Sequence, residues 1–301
     1  DLDPVEDYYT FATDEAADRA SGVKNKFWEP GSTIRVRFLD GSAALQNKVF
    51  AYARQWESSA GTDFVQVTSG PAEVRIQFEA DGHWSYIGTD NLNIDACEKT
   101  MNLELKDNTP DYIVKAVTLH EFGHVLGLRH EHQQPLADIP WNTAAVYAYY
   151  AQQDGWSKEE VDQQVLNKNA PEYTPHTDFD RKSIMQYPVP ASLTTNGFSI
   201  GYNTDLSPTD KSFVQMMYSG QRIRIRHAAA GYGGNVTIWL NGIYHTLRSG
   251  ESLSLPVYGS GNELSIWESG TWDEGYTPAY GKNYRIVLRT GSTTDLTLAA
   301  E

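Results

Sequence analysis

The stretch that decides the fold is H-E-F-G-H-V-L-G-L-R-H, residues 120–130. Residues four positions apart on an α-helix lie within about 40° of each other, so His120 and His124 face the same way, one turn apart. Two neutral imidazoles held like this form a pair of zinc ligands. Glu121 stands beside the first ligand, where its carboxylate can reach a metal-coordinated water without binding the metal.

Gly127 explains how a third ligand reaches the same metal. A residue without a Cβ can leave a helix in a left-handed turn, after which the chain doubles back and presents His130 from outside the helix. Three histidine ligands leave a fourth coordination position open for water. That arrangement is typical of a catalytic zinc site and differs from a closed structural one.

The sequence around this motif predicts a mixed α and β domain over residues 27–219. Helix start signals stand at Ser42, at Thr109-Pro110 and at Ser207-Pro208, and the helix that carries the motif is predicted to begin at Pro110 and to end near Leu126. Alternating apolar residues predict strands. These are Ile34/Val36/Phe38, Val74/Ile76/Phe78 and Met101/Leu103/Leu105.

The pattern changes after Gly220. Short runs of alternating apolar residues are separated there by turns rich in Gly, Ser and Asn, which predicts a small all-β, sandwich-like domain over residues 220–301. Residues 1–26 are acidic and lack periodic apolar pattern, so we interpret them as an N-terminal extension. The predicted fold class is therefore α+β, followed by an all-β domain.

Composition limits the partners. The 301 residues carry 24 Lys+Arg against 39 Asp+Glu, a formal charge of −15, which argues against nucleic acid and against an anionic membrane as partners. Hydrophobic residues make up 40% of the chain, enough to exclude an intrinsically disordered protein. Cys97 is the single cysteine, so no disulfide can form within the chain.

The long motif H-E-x-x-H-x-x-G-x-x-H resembles that of the metzincin metallopeptidases. The segment Ser183-Ile184-Met185-Gln186-Tyr187 resembles their methionine-containing turn, the Met-turn. Glu131 directly after the third histidine, and Tyr187 two residues after the methionine, resemble the astacin family. The resemblance covers about residues 27–219. The chain departs from the usual astacin pattern at Gln186, at Leu128 and in its lack of disulfides.

The resemblance implies a fold and a mechanism. It implies a twisted sheet with the active-site helix above a cleft and an irregular lower subdomain below. One catalytic Zn²⁺ would be bound by His120, His124 and His130, and Glu121 would be the general base for the zinc-bound water. Tyr187 would be a further zinc ligand that swings away to stabilise the oxyanion. Met185 would form an apolar floor, and Glu131 would be a buried structural carboxylate.

The same resemblance implies how substrate binds. Residues 100–105 resemble the family's edge strand, so Met101, Asn102, Leu103 and Glu104 are predicted to pair with a protein or peptide substrate in extended conformation. An unrestrained endopeptidase is a hazard to its own cell, and we therefore expect a secreted, extracellular enzyme.

Several alternatives stay open at this stage. Asp14 or Cys97 could latch the zinc in a latent form, and His83 with Asp81 and Asp90 could hold a second ion. The aromatic residues of the C-terminal domain suit a carbohydrate or protein ligand, or else a buried core. Rival functions are a catalytically silent scaffold that binds through the β-domain, and an enzyme that cleaves amides in cell-wall peptides.

Overall fold

The computed structural model describes residues 26–171, 174–257, 261–268, 271–279, 281–288 and 296–301. The first part of this chain is mixed, with helices and short strands. Its strands are β1 (Thr33–Phe38), β2 (Asp63–Gln66), β3 (Val74–Gln77), β4 (Trp84–Ser85) and β5 (Met101–Asn102). Its α-helices are α1 (Ala43–Ala53), α2 (Glu57–Ala60), α3 (Asp111–Val125), α4 (Thr143–Gln153), α5 (Lys158–Val161) and α6 (Pro208–Met217). Short 3₁₀ turns and a π-helix, Asp162–Leu166, complete it.

The five strands form one sheet in the order β2-β1-β3-β5-β4. β1 pairs in parallel with β2 and β3, and β3 pairs in parallel with β5. β4 is antiparallel to β5 and forms the edge of the sheet. The prediction that residues 100–105 form the edge strand is therefore wrong, because β5, which they contain, lies between β3 and β4.

Local capping explains where the helices begin. Ser42 Oγ accepts a hydrogen bond from Leu45 N at 3.1 Å, as its cap signal predicted. Ser207 and Asp210 cap α6 reciprocally, with side chain to backbone bonds in both directions. The active-site helix α3 begins at Asp111, one residue later than predicted, because Pro110 has an extended ψ of 140° and occupies the N-cap position.

Helix α3 runs through the main core. Twelve of its fifteen residues, including the whole stretch from Ala116 to Val125, are buried. Two tryptophans bond to its carbonyl oxygens: Trp56 Nε1 donates to Leu119 O at 3.0 Å and Trp28 Nε1 donates to Val125 O at 2.7 Å. Donors that satisfy a buried helix in this way fix its depth and rotation in the core, and so fix where its histidines point.

The chain after Gly220 is all β in its described residues. Its strands are β6 (Arg222–His227), β7 (Val236–Leu240), β8 (Ile243–Leu247), β9 (Ser252–Pro256), β10 (Leu264–Glu268), β11 (Thr271–Tyr276), β12 (Asn283–Leu288) and β13 (Leu296–Ala300). They form two four-stranded sheets, ordered β11-β10-β7-β8 and β13-β12-β6-β9, around their own apolar cluster. The mixed helices and sheets of the first part confirm the predicted fold class of the catalytic domain.

Among the described residues, no helix combines the length and the apolar character that a membrane-spanning segment requires.

Candidate active site

The structure brings His120, His124 and His130 together. One ring nitrogen from each lies within 4.8 Å of the others. Gly127 takes a φ of +89°, the left-handed turn that the sequence required, and the chain reverses there so that His130 faces α3. His124 Nε2 and His130 Nε2 are 3.2 Å apart. Tetrahedral zinc with Zn–N bonds of about 2.0–2.1 Å separates ligand nitrogens by about 3.3 Å, so the separation of His124 and His130 fits zinc.

Hydrogen bonds orient two of the three rings. His120 Nδ1 donates to Ile184 O and His124 Nδ1 donates to Leu128 O, both at 2.8 Å. Because a carbonyl can only accept, these Nδ1 atoms carry the protons and the Nε2 atoms hold the lone pairs that bind a metal.

Burial keeps the rings neutral. Desolvation lowers the pKa of His124 to about 4, and it lowers the pKa values of His120 and His130 well below their usual range. The three imidazoles are thus unprotonated ligands at neutral pH, as metal binding requires.

Glu121 is buried on α3 beside the first ligand, with 1% of its surface exposed. Excluding a carboxylate from water costs free energy, and an apolar side chain at this position would avoid the cost. A glutamate in the centre of a buried helix therefore indicates a catalytic role.

The Met-turn lies directly under α3. Met185 is buried, and an ideal Cβ built on Gly123 would overlap its Sδ atom, so only glycine allows this approach. Asp210 on α6 holds the turn in place, because its carboxylate accepts from Ser183 Oγ at 2.6 Å and from Ile184 N at 2.8 Å. The Ile184 carbonyl in turn orients His120. Helix α6 is therefore connected to the first ligand through two hydrogen bonds.

Tyr187 closes the site from the Met-turn side. Its ring centroid lies 4.3 Å from that of His130 and 5.9 Å from that of His120, and 5% of its surface is exposed. The tyrosine that the sequence singled out thus lies against two of the three ligands.

Comparison with known proteins agrees with this geometry. A family model described as Astacin (Peptidase family M12A) matches residues 21–225. The chain belongs to the astacin family.

Two solved structures of myroilysin are similar to this astacin. One has 41% sequence identity and a TM-score of 0.64 and covers 65% of this chain and 97% of its own. The other has 37% identity and a TM-score of 0.52 and covers 72% and 97%. A search of curated protein sequences found no significant match. Astacin-family members are zinc metalloendopeptidases with one catalytic zinc ion, and this chain is such an enzyme.

Glu131, the residue that marks the family, is partly buried and faces other carboxylates. Burial raises its pKa to about 8, with Asp210 and Asp180 adding repulsion, while Asp180 N donates to its Oε1 atom at 2.8 Å. Its backbone N also donates to Met185 O at 2.9 Å, so Glu131 connects the third ligand to the Met-turn.

The predicted substrate residues have another role in this astacin. Met101, Asn102 and Leu103 are fully buried. The Asn102 amide donates to Glu79 O and Gly82 O, and the Glu104 carboxylate accepts from Gly82 N, so these residues hold the loop that leads into β4. The edge that faces away from the sheet belongs to β4.

Among the described residues, the three motif histidines form the one group close enough to share a metal ion, and His83, Asp81 and Asp90 form no such group. His83 Nδ1 accepts from Glu104 N, Asp81 pairs with Lys99, and Asp90 pairs with Lys26. Cys97 is exposed and is not part of the metal cluster. Asp14 lies outside the described residues.

Two residues of the site were not predicted from the sequence. Gly123 lies inside the motif, where a glycine in a helix interior costs about 1 kcal/mol against alanine and so signals a packing reason. His132 is 3% exposed and packs on Tyr187, and burial lowers its pKa to about 4. The run His130-Glu131-His132 was the available signal for it.

Three aromatic residues of one C-terminal sheet lie in a row, while Tyr276 of the same sheet packs against the apolar cluster. Trp267 on β10 is 42% exposed and lies 5.1 Å from Trp272 on β11, which lies 5.8 Å from Tyr244 on β8. Tyr244 stacks on His176 at 5.1 Å. The row of rings therefore runs from the catalytic part of this astacin to the exposed Trp267.

Proposed function

We propose that this astacin-family enzyme is a secreted endopeptidase that cleaves protein chains bound in extended conformation, with Glu121 as its general base. The observation that carries the proposal is the position of Glu121, buried on α3 next to a histidine triad whose nitrogens fit zinc. Zinc, when bound, supplies Lewis-acid chemistry: it lowers the pKa of a coordinated water to about 7 and polarises the scissile carbonyl.

The protein residues then move the protons. Glu121 accepts a proton from the attacking water and later delivers it to the leaving amine. The Tyr187 hydroxyl donates a hydrogen bond to the oxyanion of the tetrahedral intermediate. The packing of the Tyr187 ring against His130 supports this role, because it keeps the phenol beside the ligands.

The edge strand supports an extended substrate. β4 is the antiparallel edge of the five-stranded sheet, and it packs against α3, the helix that carries His120 and Glu121. A peptide that adds to this edge as a further strand is held by main-chain hydrogen bonds beside the metal centre. Such bonds read no side chain, so they suit an enzyme that cuts unfolded proteins.

Two further considerations support secretion and the preference for protein substrates. Secretion follows from the hazard that an endopeptidase poses to its own cell. A main-chain binding edge favours proteins over the short, branched peptides of cell walls, the rival substrate class.

The test measures cleavage of casein by the parent and by Glu121→Gln, each loaded with one equivalent of zinc. We expect the parent to cleave, a chelator to stop cleavage and added zinc to restore it. Glu121→Gln should bind zinc normally and lose about 10²–10⁴-fold in kcat. A variant with parental kcat would refute the role of Glu121. Faster cleavage of cell-wall peptides than of casein would refute the substrate class.

We propose ligand binding by the C-terminal sheet as a second function, and the contact between the exposed Trp267 and the partly buried Trp272 favours it. Exposed indole rings stack on sugar rings and also anchor protein interfaces, so the partner is a carbohydrate or a protein. Co-sedimentation of the parent, Trp267→Ala and Trp272→Ala with insoluble polysaccharides and with insoluble protein fibres tests this. Binding that the substitutions leave unchanged would contradict it.

A further inference from the structure

His132 has no assigned role, yet it lies between the ligand loop and Tyr187. Its ring centroid is 5.3 Å from that of His130, with the planes stacked at 19°, and 4.5 Å from that of Tyr187, at 34°. The side chain is 3% exposed. The rings of His130 and His132 both contact the Tyr187 ring, and together they restrict how the Tyr187 ring can tilt.

One hydrogen bond fixes the His132 ring. Nε2 donates to Gln164 O at 2.9 Å, so Nε2 carries the proton and Nδ1 is the unprotonated nitrogen. Within the described residues, the buried Nδ1 atom has no hydrogen-bond partner. A buried acceptor left unpaired costs about 1–3 kcal/mol, which a residue kept only for packing would avoid by being apolar.

The carbonyl that holds His132 belongs to the π-helix Asp162–Leu166. The neighbouring Gln133 also binds this segment, since its Nε2 atom donates hydrogen bonds to Gln163 O at 2.5 Å and to Asn167 O at 3.1 Å. Val165 anchors the π-helix in a separate apolar cluster of the lower part of the molecule. Short π-helices occur frequently at functional sites, where they redirect backbone groups.

We infer that His132 is a positioning residue: held by the Gln164 carbonyl, it keeps the Tyr187 phenol ring aligned over the metal centre. The inference rests on the proposed role of Tyr187 and extends it. It assigns to the π-helix a place in the mechanism, since a change in that helix reaches Tyr187 through one hydrogen bond and one ring contact.

Two substitutions test the His132 ring and its hydrogen bond to Gln164 O separately. His132→Gln keeps an N–H donor near Gln164 O but removes the ring, whereas His132→Phe keeps the ring and removes the donor. His227→Gln is the matched control, because His227 is a buried histidine whose Nε2 atom donates to Gly234 O in the C-terminal sheets. All variants are first checked for one bound metal equivalent and for cooperative unfolding.

The decisive readout is spectroscopic. Imidazole sites bind Cu²⁺ tightly, and a phenolate on Cu²⁺ gives a visible charge-transfer absorption. The Cu²⁺ form of the parent should show this band and that of Tyr187→Phe should lack it. We expect His132→Gln to lose most of the band and about 10–100-fold in kcat on casein with zinc, with KM within twofold. His132→Phe should lose part of the band and part of kcat, because its ring has no hydrogen bond to Gln164 O, and His227→Gln should match the parent.

The outcomes distinguish this inference from the proposal beneath it. If His132→Gln keeps the band and the parental kcat, the ring contact does not position Tyr187. If His132→Phe matches the parent, the hydrogen bond to Gln164 O takes no part. Either result overturns the inference while the peptidase mechanism stands. If parent and Tyr187→Phe give the same spectrum and kcat, the role of Tyr187 fails and the inference falls with it. His132→Phe also keeps the test valid if His132→Gln binds less than one metal equivalent.

Discussion

At the scale of single residues, the metal centre depends on the absence of a side chain at Gly123. Gly123 lies one position before His124 on α3, and Met185 packs into the space that a Cβ would fill. The contact brings the Met-turn close enough for Ile184 O to orient His120. A helix would gain about 1 kcal/mol from alanine at this position, so the glycine is retained against local helix propensity.

Gly123→Ala should therefore weaken the zinc site. Because the new methyl group would overlap Met185 Sδ, we expect a net destabilisation of up to about 2 kcal/mol, the overpacking cost less the helix gain. Zinc affinity should fall by about tenfold, since a displaced Met-turn no longer orients His120. Urea unfolding of the zinc-loaded protein and competition with a chelating dye measure the two effects.

Gly201→Ala is the matched control, because no atom lies within 4 Å of an ideal Cβ there. Equal stability and zinc affinity in the two alanine variants would show that the Gly123–Met185 contact does not matter.

What the sequence could predict at this scale follows from separation along the chain. The three ligands and Gly127 lie within eleven residues, and helix geometry together with the turn at Gly127 relates them. The roles of Gly123 and His132 depend on Met185 and Gln164, which only the folded chain brings near. No local pattern contains that information.

At the scale of elements, alternation predicted most strands but not their order. Apolar side chains at alternate positions report burial, and β5 is buried whether it lies at an edge or inside the sheet. β4 has two residues, too few for any periodicity, and so the edge was assigned to the wrong strand. Cap signals did better, since Ser42 and Ser207 bond to backbone atoms three residues away.

Ser85→Pro tests the edge. Tyr86 N donates inward to Thr100 O, and backbone groups alternate along a strand, so Ser85 N–H points to the open side of β4. Proline removes that donor and is tolerated only at an edge. We expect KM for casein to rise about tenfold with kcat little changed, as measured by steady-state kinetics.

Gln66→Pro is the counterpart at the opposite edge. Val67 N donates inward to Val36 O, so Gln66 N–H also points away from the sheet on β2. This variant should keep the parental KM. If both substitutions raise KM alike, the effect comes from the stability of the sheet and the edge of β4 does not bind substrate.

Helix α4 predicts a dependence of stability on pH. Asp154 ends this helix, and burial raises its pKa to about 6, a direction that the negative end of the helix dipole reinforces. A carboxyl whose pKa is raised by folding holds its proton more tightly in the folded state. Its contribution to stability is thus full below pH 4 and is lost as the pH rises to 6.

Asp154→Asn should remove this dependence. Urea unfolding at pH 4, 5, 6 and 7 should show the variant gaining stability relative to the parent between pH 4 and 6, with a constant difference above. A difference that is flat over the whole range would contradict the raised pKa.

At the scale of the whole molecule, the C-terminal sheets are joined to the catalytic part through β8. His176 and Tyr244 exchange two backbone hydrogen bonds, of 3.2 and 2.7 Å, and their rings stack. Tyr244 Oη donates to Asp178 Oδ1 at 3.1 Å. Ile243, the preceding residue, belongs to the same apolar cluster as α3. A continuous core across the junction predicts that both parts unfold together.

Tyr244→Ala should separate them. The substitution removes the ring contact with His176 and the bond to Asp178, a loss of roughly 1–3 kcal/mol for a half-buried aromatic side chain. Scanning calorimetry of the parent should give one transition that a zinc chelator moves to lower temperature. In Tyr244→Ala we expect two transitions, of which the chelator moves only one, because only the catalytic part binds zinc. Trp267→Ala, on the same face but without contact to His176, is the control and should keep the single transition. If Tyr244→Ala also shows a single chelator-sensitive transition, the apolar cluster around Ile243 couples the two parts without Tyr244.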